Sequence, residues 1–134
     1  MEKIMMTKIL SDLESELQEK IFHINLGIYM RKTRLALGMT QTEVAEKYKK
    51  PVTFQQVQKN EKGSNAMPVD RLVEFWLFCK IKQDMGEVLN NCANNFYVRQ
   101  IFESLPTVEI EVVKNQIVKG VIDFKKIEKN IDIN

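Results

Sequence analysis

Apolar residues recur at steps of three and four towards both ends of this chain, and that period constrains the fold more than any other feature. Leu10, Leu13, Leu17, Ile21 and Ile24 share one face of a helix read over residues 3–22. Ser11 followed by Glu14 has capping-box spacing and offers a later start for it. Ile110, Val113, Ile117, Val121 and Phe124 repeat the period over 107–129. Val108, Ile110 and Val112 also alternate as a strand would, but the helical pattern is the longer and helix is expected. Five Gly and three Pro are too few for a turn-rich β architecture, and 44% hydrophobic residues suffice for a core. The expected fold class is all-α.

The middle of the chain is more finely punctuated. A second helix spans about 25–37, with Leu26, Tyr29, Met30 and Leu37 on one face, and Gly38 suits its end. Thr40 is a good N-cap with Glu43 at the capping-box position, so a short third helix follows, ending near Tyr48. Pro51 cannot continue it and restrains Lys50. Thr53 then caps a fourth helix, about 54–60, in which Val57 is the one obvious core anchor, and Gly63 ends it. Pro68 opens an apolar fifth helix containing Leu72, Phe75, Trp76 and Cys79. A short sixth helix covers 85–90. Asn90-Asn91 and Asn94-Asn95 mark a linker, and a further helix over 96–104 is stopped by Pro106.

Charge is segregated along this pattern. Residues 24–82 carry eleven Lys/Arg against five Asp/Glu, whereas 1–23 and 83–134 are each net acidic. A basic middle between acidic ends suits a polyanion-binding module with accessory parts. Two isolated cysteines, Cys79 and Cys92, and the distant His23 make no zinc site, and free thiols fit a reducing cytoplasm. No secretory leader is legible, and no stretch reaches the roughly 18–20 apolar residues of a membrane span. Nothing nucleophilic accompanies Asp12, Glu14 and Glu16. No catalytic residue, metal set or cofactor is therefore expected, and the chain does not read as an enzyme.

The fourth helix carries the chemistry. A side-chain amide pairs one donor and one acceptor, which matches the adenine edge in the major groove, while Lys reaches guanine or phosphate and an apolar group meets the thymine methyl. Phe54, Gln55, Gln58 and Lys59 are thus expected to contact bases, with Gln56 turned away and Phe54 equally readable as core. Thr53, at the helix N-terminus, is expected to hold a phosphate, and Lys49, Lys50 and Lys62 to add phosphate contacts.

The run Gly38-Met39-Thr40-Gln41-Thr42-Glu43-Val44-Ala45, followed by Val52 to Gly63, resembles the Cro/CI-type (lambda-repressor-like, Xre) helix-turn-helix regulators. The likeness extends from Leu26-Gly27 and Arg31 to Arg34 upstream to Pro68 and Leu72 downstream. Phe54-Gln55-Gln56-Val57-Gln58-Lys59 is similar to an alphaproteobacterial subgroup, and residues 94–124 loosely resemble its helical tail. The resemblance implies a five-helix lambda-repressor-like DNA-binding domain over 24–92. A helical extension would precede it over 1–23, and a dimerising one would follow over 93–134. It further implies that Gln41 binds a DNA phosphate, that small Ala45 lets the helices approach, and that Arg34 pairs with Glu61. The family's tight Gly-containing turn is absent: Lys49-Lys50-Pro51 makes this connection about two residues longer.

These readings converge on a cytoplasmic regulator that binds specific double-stranded DNA as a homodimer, since one helix reads few base pairs and a two-fold pair doubles them. The alternative is an antitoxin or anti-repressor-like module whose extensions grip a protein partner and whose DNA binding is secondary.

Overall fold

A computed structural model describes residues 3–127. Among these residues all regular structure is helical: α1 (Lys3–Leu17), α2 (Lys20–Ala36), α3 (Gln41–Lys47), α4 (Phe54–Glu61), α5 (Val69–Phe78), α6 (Met85–Ala93), α7 (Phe96–Ser104), α8 (Thr107–Lys119) and α9 (Phe124–Ile127). The expected all-α class holds. The residues of the expected extensions at 1–2 and 128–134 lie outside the described residues.

Several boundaries differ from those read in the sequence. The first break falls at Gln18-Glu19, not near Asn25, because Gln18 adopts a positive φ of 52°. Leu17 and Ile21 keep their four-residue step across it, so the apolar period hides the break. The first helix starts at Lys3, which leaves Ser11 and Glu14 inside it rather than at a cap. Asn90 and Asn91 continue α6, and the true junction is Asn94-Asn95, where Asn95 is left-handed with a φ of 58°. The tail is helical, as expected, but Gly120 at a φ of 71° stops α8 before the short α9.

Two cores share α2. Its first turns give Ile21 and Ile24 to a cluster with Leu13 of α1, Val98 and Phe102 of α7, Ile110 and Ile117 of α8, and Phe124 of α9. Its later turns give Leu26, Tyr29 and Met30 to a cluster with Val44, Val57, Phe75, Trp76 and Val88. There Tyr29 stacks on Trp76 with ring centroids 5.4 Å apart. The Tyr29 hydroxyl and the Trp76 indole N–H both donate to Gln83, to its side-chain and backbone oxygens respectively. Both thiols are core groups, and burial pushes Cys79 up to about 11 and Cys92 up to about 12, which keeps them protonated.

The tail's apolar stripe is thus spent inside the chain. Ile110, Val113, Ile117 and Phe124 are buried, whereas Val121 is exposed, as are Val108 and Val112 on the outer side of α8. Lys114 of α8 lies 3.5 Å from Asp12 of α1 and ties the two outer helices.

Candidate nucleic-acid interface

Helices α3 and α4 form a helix-turn-helix whose two starts are capped as their sequences require. The Thr40 side chain accepts from the Glu43 N–H while the Glu43 carboxylate accepts from the Thr40 N–H, each at 3.0 Å. These bonds to Thr40, backbone first, hold the exposed Glu43 carboxyl below its ordinary range. Its support for folding is therefore full above the usual carboxylate range and is lost as pH falls through the lowered value. At α4 the Thr53 side chain accepts from the Gln56 N–H at 3.2 Å.

The long connection is anchored although it lacks glycine. The Val52 N–H returns to the Ala45 carbonyl at 3.1 Å, and the Lys49 N–H donates to the Glu74 carboxylate at 2.7 Å. Tyr48 is buried and meets Phe78 edge-on, and burial raises its phenol above its usual value. Neither Tyr48 nor Glu74 stood out in the sequence as an anchor, because each partner lies more than twenty residues away.

Helix α4 has two opposed faces. Val57, Asn60 and Glu61 are buried at helical spacing. Gln55, Gln58 and Lys59 are exposed, and Lys62 is half-buried just beyond the helix end. Phe54 is 45% exposed, so it lies outside the core. Gln56 is half-buried and donates to Asn60 at 3.5 Å. Among the other residues read as DNA contacts, Thr53, Lys49 and Lys50 are exposed and Gln41 is half-buried.

The buried face is fixed by Glu61. Arg34 donates from Nε to Oε2 at 2.7 Å and from Nη2 to Oε1 at 3.0 Å, a two-pronged guanidinium–carboxylate pair. Gln41 Nε2 adds a bond to Oε1 at 3.0 Å, and Arg31 reaches the same oxygen at 3.5 Å. The remaining Arg34 prong donates to the Met39 carbonyl at 2.9 Å. One carboxylate thereby joins α2, the start of α3 and the end of α4. The roles of Arg31 and the Met39 carbonyl were not legible, since neither follows from spacing.

Two glycines permit this closeness. A Cβ on Gly27 would run into the backbone carbonyl oxygens of Asn60 and Glu61, so α2 and α4 touch through bare backbone. Gly63 has a φ of 72°, and a Cβ there would lie 2.6 Å from the Ile24 Cα. Among the described residues no three His, Cys, Asp or Glu side chains gather as a metal site, and no helix is long and apolar enough to cross a membrane.

Over 85 residues the chain is 31% identical to uncharacterized HTH-type transcriptional regulators of Sinorhizobium medicae (strain WSM419) and Rhizobium meliloti (strain 1021). The match covers 63% of this chain and 52% of each of those proteins, so the chain spans about half the length of the curated relatives it matches. No family model matches the chain, and no solved structure matches it.

Proposed function

We propose that the protein is a sequence-specific double-stranded DNA-binding transcription regulator of the Cro/CI-type, with α4 entering the major groove. The observation that carries this reading is the division of α4: its inner face is locked by the Glu61 cluster, and its outer face presents Gln55, Gln58 and Lys59. A rigid helix with a free amide-rich face suits base readout, because those amides offer donor and acceptor together. The names of the rhizobial relatives support the same class. Phe54 joins the base-contacting row, and Gln41, Thr53, Lys49, Lys50 and Lys62 hold the flanking phosphates.

In this reading residues 24–92 form the DNA-binding unit, 1–23 and 93–134 are its helical extensions, and the protein acts as a homodimer in the cytoplasm. The exposed Val108, Val112 and Val121 are among the apolar side chains that the C-terminal extension offers to a second copy. The test is duplex affinity over a salt series for the wild type and a Gln55→Ala, Gln58→Ala double variant. The wild type should weaken steeply with salt, as phosphate neutralisation demands. The double variant should keep that salt dependence while losing roughly ten- to a hundredfold in preference for its best sequence, on the scale of 1–3 kcal/mol per bidentate contact. An undiminished preference would remove α4 from base readout.

A further inference from the structure

The expected phosphate contacts at Gln41 and Lys62 do not lie on an open surface. They line an open cleft of ≈ 730 Å³ that is also lined by the segment 121–125, which runs from the end of α8 into α9. This segment is well anchored: Ile122, Phe124 and Ile127 are buried with α1, α7 and α8. The Arg31 guanidinium lies over the Phe124 ring at 5.0 Å and also reaches Glu61, so the segment is braced against the residue that fixes α4. Lys125, next to the buried Phe124, is exposed.

The charges of the cleft favour an anion. Arg31, Arg34, Lys62 and Lys125 line it with two carboxylates, Glu61 and Asp123. Glu61 is saturated by the two arginines and Gln41, and Asp123 accepts the Lys125 backbone N–H at 3.1 Å. Among the described residues neither Lys62 nor Lys125 has an ion-pair partner. Two ammonium groups with no ion-pair partner among the described residues therefore border the cleft that Gln41 and Gln58 also line.

We infer that the segment 121–125 is part of the DNA interface, and that Lys125 and Lys62 together receive the backbone phosphate passing along this cleft beside the bases read by α4. The inference rests on the DNA-binding reading above. It gives the C-terminal extension a direct contact with nucleic acid, in addition to any role in dimerisation. A phosphate contact adds affinity without sequence preference.

The experiment compares wild type, Lys125→Ala and Lys119→Ala on a mixed-sequence duplex and on the preferred duplex, each over a salt series. Lys119 carries the same charge on the same extension but does not line the cleft. Lys125→Ala should weaken binding to both duplexes alike, roughly five- to tenfold at low salt, and lower the salt slope by about 1. Lys119→Ala should bind as the wild type does. Equal binding by Lys125→Ala and wild type overturns the inference and leaves DNA binding by α4 intact. An equal loss in both variants also overturns it, because the effect is then bulk charge. A wild type that binds no duplex takes down the DNA-binding reading and this inference together.

Discussion

Glu61→Ala is expected to cost about 3–5 kcal/mol of stability, the scale for breaking a buried ion pair by removing one partner. The carboxylate is 3% exposed and Arg34 is 6% exposed, so the pair is held largely out of water. The variant leaves a buried guanidinium with the Met39 carbonyl as its remaining bond, and frees the Gln41 amide from the end of α4. Arg34→Ala should cost a similar amount, since it strands the carboxylate instead. Replacing both by apolar residues of similar volume should recover much of the loss, because an apolar pair avoids the desolvation of two ions. Urea denaturation of the three variants measures this. A cost below about 1 kcal/mol for Glu61→Ala, the value of an exposed pair, would show that the cluster is not a buried clamp.

Asn25→Ala should be comparably severe, for a different reason. Asn25 is fully buried, and its side chain uses both donors and both acceptor positions. Nδ2 donates to the Ile21 carbonyl at 2.8 Å and to Asn95 Oδ1 at 3.2 Å. Oδ1 accepts the backbone N–H groups of Tyr97 at 3.1 Å and Val98 at 3.0 Å. These are orphan donors of the first turn of α7, whose own N-cap, Asn95, makes no side-chain cap bond. Asn25 thus caps α7 from another helix. Asn95 in turn donates to Glu14 of α1, so one polar chain links α1, α2 and α7 between the two cores. Alanine would leave two buried N–H groups unpaired at about 1–3 kcal/mol each, for a combined loss of roughly 3–5 kcal/mol. Amide exchange should accelerate first in α7. A loss no larger than that of a surface substitution, within about 0.5 kcal/mol, would contradict this role.

The sequence revealed local features well and long-range ones poorly, as their physics requires. The caps at Thr40 and Thr53 and the stop at Gly38 depend on neighbouring residues, and the structure has them where spacing put them. The two faces of α4 follow from helical period and one apolar anchor. The break at Gln18 was hidden because its residue type does not announce a positive φ. Where the tail stripe docks was not legible either, because an amphipathic face does not name its partner. Ile110, Val113 and Ile117 suit a second copy as well as they suit the cluster they share with α1. Asn25 falls where the sequence places the start of the second helix, and only its meeting with residues seventy positions away makes it a cap.

The most direct test of the central claim is selection of bound sequences from a random duplex pool, comparing the wild type with the Gln55→Ala, Gln58→Ala variant. The account predicts that the wild type enriches a palindromic motif with half-sites about one helical turn apart, and that the variant loses it while retaining salt-sensitive, unselective binding. A wild type that enriches nothing and shows only weak, salt-sensitive retention would contradict the account, and would point instead to a protein as the main partner of this fold.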